Sequence, residues 1–139
     1  MPNLKAHIPE PPVPAPEDLG GAGLRAFFGI ARAWRLTESQ QLSLLGLTVR
    51  STLFAWKKKA GAGAVKLGPD TLERLSHLVG IWKALAVLLP QNEVADQWLQ
   101  RPNDNFPFMG ATPLVLMQGS LEGLVLVRRH LDARRGGWG

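Results

Sequence analysis

The chain has 139 residues, 45% of them hydrophobic, which bounds it to one folded domain or two very small ones around a modest core. It contains no cysteine, so disulfides, thiolate metal sites and cysteine nucleophiles are excluded. The net charge of +5 is unevenly placed: residues 1–23 carry one basic and three acidic groups, 24–60 carry seven and one, and 61–139 carry eight and seven. A basic excess confined to one block suits contact with a phosphate backbone, and it equally suits a solvated basic face.

In chain order, residues 1–21, with "PEPPVPAPED", read as an extended, disordered proline-rich arm, because proline removes backbone donors and restricts the residue before it. Residues 22–60 carry dense helical patterning. Leu24, Phe27, Phe28, Ala31 and Trp34 recur at the spacing of an amphipathic helix, with Arg25, Arg32 and Arg35 elsewhere on its circumference. Thr37 and Gln40 form a capping-box pattern that opens a second, short helix through Leu45, and Gly46 supplies a left-handed turn. Thr48 is placed to cap a third helix, "VRSTLFAWKKK", with Val49, Leu53 and Trp56 inward and Arg50, Ser51, Phe54, Lys57 and Lys58 partly or wholly outward.

Helix, glycine turn and basic helix is the order of a helix-turn-helix, whose second member enters the DNA major groove; an ordinary helical hairpin has the same order. In the DNA-binding case Arg50 reads a guanine edge or holds a phosphate, Ser51 contacts either, and Lys57 and Lys58 grip the backbone. Gln40 and Gln41, beside Glu38 at the start of the preceding helix, are then placed for phosphate contacts.

Residues 61–68, "GAGAVKLG", lack the GK[ST] ending of a phosphate-binding loop and read as a flexible linker. From 69 onward helical patterning resumes. Asp70 and Glu73 suit the cap and first turn of a long helix carrying Leu72, Leu75, Val79, Trp82, Ala86 and Leu89, a spacing close to a heptad seam. Leu78, Ile81, Leu85 and Leu88 make much of its circumference apolar, so it is expected at the centre of the core, with dimerisation as a further role. Pro90 stops it and a shorter helix spans about 92–99. The stretch "WLQRPNDNFPFMGATPLVLM" is too broken by proline and glycine for one helix. Trp98 closes the preceding helix onto the core, Pro102 prevents its continuation, and the Asn103 and Asn105 amides satisfy loop backbone groups. Thr112 caps a new short helix with Pro113 at its first position, so the segment is expected to be a rigid, shaped turn and not a catalytic loop.

Enzymatic chemistry finds little support. His7, His77 and His130 have no metal-ligand or nucleophile–base spacing with other polar groups, and the acids sit at helix starts where capping accounts for them. No catalytic residue, metal or cofactor is therefore expected. The longest apolar run, "LVGIWKALAVLL", is interrupted by Lys83 and too short to cross a bilayer, and the N-terminus lacks the order of a signal peptide. A soluble, cytoplasmic protein with no membrane partner is expected.

The same C-terminal residues carry a resemblance. Trp98, Leu99, Pro102 and Asn103, then Phe108 and Gly110, then Thr112, Pro113 and Leu114, followed by Leu124, Val127, Leu131 and Gly136, resemble the C-terminal toxin-binding domain of the Xre/MbcA/ParS antitoxins. The upstream "LLGLTVRSTLFAWKKK" is similar to that family's Xre-type helix-turn-helix, so the resemblance spans most of 24–139. It implies an all-α protein with a helix-turn-helix domain (22–60) and a small helical toxin-binding domain (69–139), to which composition adds the proline-rich disordered arm (1–21) and the linker (61–68). It implies an antitoxin of a type II toxin–antitoxin system that obstructs the active site of a RES-domain, NAD-degrading toxin, represses its own operon at operator DNA, and works as a homodimer within a larger complex. Residues expected to touch the toxin are Arg101, Asn103 and the tail "RRGGWG", in which Arg134 and Arg135 pair with polar groups at the pocket mouth, Gly136 permits a sharp approach and Trp138 inserts or stacks. The alternative is a stand-alone dimeric helix-turn-helix regulator whose C-terminal half serves only in oligomerisation.

Overall fold

The computed structural model describes residues 16–63 and 65–136, which form seven helices and, among the described residues, no strand. In chain order these are α1 (Pro16–Ala33), α2 (Glu38–Leu45), α3 (Arg50–Ala62), α4 (Pro69–Leu88), α5 (Asn92–Gln100), α6 (Pro113–Gly119) and α7 (Leu121–Gly136). Residues 16–21 of the expected arm are helical, because α1 already begins at Pro16. A proline at the first helical position forfeits no intrahelical hydrogen bond, so Pro16 starts the helix that the prolines before it were expected to prevent. Residues 1–15 lie outside the described part of the chain.

One hydrophobic cluster unites all seven helices. Leu24, Phe27 and Trp34 of α1 meet Leu44 and Leu45 of α2, Leu53 of α3, Leu78 and Ile81 of α4, Leu99 of α5, Met117 of α6, and Leu124 and Val127 of α7. As expected, α4 is central, packing against α1, α2, α5 and α7. Its core face is made by Leu75, Leu78, Ile81, Ala84 and Leu85, whereas Ala86 of the expected heptad seam is exposed. Each of the large side chains on that face contributes roughly 2 kcal/mol by leaving water.

The turns follow from local chemistry. At α2 the Thr37 hydroxyl accepts from the Gln40 N–H at 3.1 Å, while the Gln40 side chain accepts from the Thr37 N–H at 2.8 Å, which completes the expected capping box. Gly46 ends α2 in the left-handed region at φ 72°, and the Leu47 N–H returns to the Leu42 carbonyl at 2.8 Å. The same closure ends α1, with Leu36 N–H bonded to the Ala31 carbonyl at 2.9 Å, although its left-handed residue is Arg35 at φ 54°. The start of α3 differs from expectation: Val49 is the N-cap, without a side-chain hydrogen bond, and it is exposed instead of inward.

The expected flexible linker is a packed segment. Two of its residues, Gly61 and Ala62, continue α3, and Val65 and Leu67 are buried in the common core. A Cβ on Gly20 would lie 2.0 Å from the Val65 carbonyl oxygen, so α1 needs glycine where this segment crosses it. Arg25 secures the same crossing by donating to the carbonyls of Ala60 at 3.0 Å and Gly63 at 3.2 Å, the exposed acceptor end of α3.

Candidate functional site

Two surfaces carry the side chains singled out by the sequence. The first is the outer face of α3. Arg50, Ser51, Phe54, Lys57 and Lys58 are all exposed there, in one contiguous stripe after the Gly46 turn. Arg50 is not idle in the free chain: it forms an ion pair with Glu38 of α2 and lies over the Phe54 ring, 5.4 Å from its centroid. Lys57 lies 5.7 Å from the centroid of the Phe28 ring. Gln40 and Gln41, expected beside this stripe, also bond within the α1–α2 turn. Gln40 completes the capping box and Gln41 donates to the Leu36 carbonyl at 3.1 Å. Arg25, one of the seven cations of this block, is likewise turned to the end of α3.

The second surface surrounds the loop from α5 to α6. Asn103 organises it: its N–H donates to the Ala111 carbonyl at 3.0 Å, its carbonyl accepts from Gly110 at 2.8 Å, and its side-chain oxygen accepts from the Asn105 N–H at 2.9 Å. Asn105 contributes its backbone carbonyl, which accepts from Phe108 at 2.8 Å and Met109 at 3.2 Å, and its expected side-chain role is taken by that carbonyl. At the loop's end the Thr112 hydroxyl accepts from the Val115 N–H at 3.1 Å, and Pro113 is the first residue of α6, as expected.

Phe108 anchors the loop. Its ring is 2% exposed and packs edge-on against Trp98 at 5.7 Å and His130 of α7 at 4.9 Å, while Trp98 and His130 stack at 6.3 Å. Burial of the His130 ring, and then the neighbouring Arg134 guanidinium, lower its pKa from the usual 6.5, and its Nε2 is buried with no hydrogen-bond partner among the described residues. Nothing in the sequence marked His130, because its partners come from two other elements. Spacing along α7 alone contains no trace of them.

Around this aromatic cluster the expected contact residues separate. Arg134 and Asn103 border one cleft of about 310 Å³, together with Leu88, Trp98, Asn105 and Leu131. Asn103 also borders a neighbouring cleft of about 300 Å³ with Arg101, Val94 and Trp98. Arg101, Asn103 and Arg134 thus surround one surface. Arg135 faces elsewhere, into a cleft of about 350 Å³ with Gly80, Lys83, Arg128 and Asp132. Gly136 is still helical, so α7 continues through the residue expected to turn the chain, and Trp138 lies outside the described residues.

Comparison with known proteins matches both parts of the chain to antitoxin domains. Residues 14–80 match the family described as "Antitoxin Xre-like helix-turn-helix domain", and residues 84–137 match "Antitoxin Xre/MbcA/ParS C-terminal toxin-binding domain". The chain belongs to the Xre/MbcA/ParS antitoxin family. It is also 50% identical over 117 residues to an uncharacterized protein, y4oB, of Sinorhizobium fredii (strain NBRC 101917 / NGR234), covering 84% of this chain and 86% of that one.

In this antitoxin the two matches meet inside α4, the helix whose core face both halves share. The helix-turn-helix match takes in α1, α2, α3 and the first part of α4, and the toxin-binding match takes in the end of α4, α5, the loop, α6 and α7. The match indicates a toxin as partner, and both matched domains are antitoxin domains. Among the described residues there is no cluster of metal-ligating side chains, and no helix is long and apolar enough to cross a membrane.

Proposed function

We propose that this antitoxin neutralises a RES-domain toxin that consumes NAD, by obstructing the toxin's active site with the last turn of α7 and the residues that follow it. The observation that carries this is the exposed, doubly basic end of α7 within the toxin-binding match: Arg134 and Arg135 open onto two different clefts and present cations on both sides of the helix. A pocket built for a dinucleotide accepts cationic and flat groups, and Arg134, Arg135 and Trp138 supply both. Arg101 and Asn103, on the Arg134 side, extend the contact.

The other half acts on DNA. Arg50, Ser51, Lys57 and Lys58 on the open face of α3 bind operator DNA, so that the antitoxin, as a homodimer within a larger toxin complex in the cytoplasm, represses its own operon. Gln40 and Gln41, whose turn hydrogen bonds leave amide N–H groups unused, add phosphate contacts at the start of α2.

The test is a pull-down from the native host with an N-terminally tagged full-length chain, bound proteins being identified by mass spectrometry. Stoichiometric recovery of a RES-domain protein supports the proposal. A folded bait that retains no such protein, yet binds DNA selectively and with strong salt dependence, would leave a stand-alone regulator in its place.

A further inference from the structure

The α5–α6 loop displays two large apolar side chains that nothing in the fold uses. Phe106 and Met109 are each 79% exposed, more than any other large hydrophobic residue among those described, and they flank Phe108, which is 2% exposed. Loose surface residues would account for this if the loop were loose. It is held instead by the Asn103 and Asn105 hydrogen bonds and by the edge-on packing of Phe108 against Trp98 and His130.

Met109 moreover adopts φ 51°, a left-handed conformation that glycine or asparagine accepts far more readily than a long side chain. The fold keeps a methionine where its backbone is disfavoured and its side chain is in water. Such strain persists only where the surroundings over-determine it, and it is concentrated at sites of function.

We propose that Phe106 and Met109 form a preformed apolar anchor that seats in a hydrophobic hollow on the toxin, apart from the active-site contact made by the end of α7. The toxin is the occupant because the loop lies at the middle of the toxin-binding match, and because Asn103 and Asn105 at its base border the same cleft as Arg134. Aromatic and methionine side chains are the types enriched at the desolvated centres of such interfaces, and a loop already fixed loses little freedom on binding. The inference rests on the toxin-binding role of this domain.

The experiment measures the affinity of the full-length chain for the RES-domain protein it recovers, for wild type, Phe106→Ala/Met109→Ala and Met109→Asn, with thermal unfolding of each. The double variant should keep the wild-type unfolding temperature and bind roughly 30-fold more weakly or worse. Met109→Asn should raise the unfolding temperature while weakening binding severalfold, a pairing that a purely structural role for Met109 would not produce. A double variant that binds within about twofold of wild type overturns the anchor. So does one whose only change is in self-association, since the loop would then face a second copy. A wild-type chain that fails to bind the toxin at all removes the toxin-binding role itself, and the anchor with it.

Discussion

The outer face of α3 and the α5–α6 loop both carry exposed side chains that we propose meet a partner, and the free chain holds them in opposite ways. On α3 the exposed groups are mostly charged, and two of them have a stand-in partner in the free chain: Arg50 rests on Glu38 and Phe54, and Lys57 on Phe28. On the loop the polar groups close on the loop's own backbone, leaving Phe106 and Met109 in water. A surface that binds by charge can hold its cations in weak, solvent-screened pairs and release them when phosphates arrive. A surface that binds by shape must be rigid beforehand, because its apolar contacts reward only a defined geometry. Both demands are met within one shared core, since α4 backs the two halves at once.

The contrast can be broken most severely at its phenylalanines. Phe108→Ala should cost about 3–5 kcal/mol in urea-induced unfolding, because it empties a buried site between two helices, whereas Phe54→Ala, at an exposed position, should change stability by less than about 0.5 kcal/mol. Equal costs would mean that the loop is not anchored as described. Smaller effects test whether each half is set by its own helix start. Thr37→Ala and Thr112→Ala should each lose about 1 kcal/mol, the size of one N-cap. Of the two, Thr112→Ala alone should also weaken toxin binding, because it ends the loop.

The stand-in pairing on α3 makes a prediction of opposite sign. Removing the carboxylate with Glu38→Gln should strengthen DNA binding by about two- to fivefold at low salt, the scale of an exposed ion pair, with little change in stability. Weaker binding in a fluorescence titration would show that Glu38 orients Arg50 for DNA and does not merely occupy it. The last effect is acid sensitivity in the C-terminal half. Since the folded state lowers the His130 pKa below 6.5, the unfolded chain takes up the proton more readily. The stability from the neutral ring is complete above pH 6.5 and declines as the pH falls below it. His130→Phe should retain the aromatic packing and lose part of the acid-induced fall in urea midpoint between about pH 7.5 and 5. A parallel fall in both proteins would clear His130 of that role.

Where one or two neighbouring residues decide a feature, the sequence was a sufficient guide. The Thr37–Gln40 capping box, the Gly46 turn and the Thr112–Pro113 start all formed as their local chemistry requires. Features decided by distant elements were not legible. The many apolar positions of α4 allow more than one buried stripe, and the positions of α1 and α7 select the one centred on Leu78, Ile81 and Leu85. Arg25 counted as a surface cation until the end of α3 arrived beside it. The 61–68 segment looked like a linker because glycines suggest freedom, when those of α1 mark the close crossing of another backbone. In the candidate site, Asn103 was found through loop chemistry, but the exposure of Phe106 and Met109 and the environment of His130 required the tertiary fold.

Toxin neutralisation is proposed to reside at the end of α7. NAD consumption by the RES-domain partner, measured with saturating full-length chain and with a chain ending at Ala133, tests it most directly. Complete inhibition by the full-length chain, and a shortened chain that still binds but leaves NAD consumption intact, is the predicted result. Equal inhibition by both chains would contradict it.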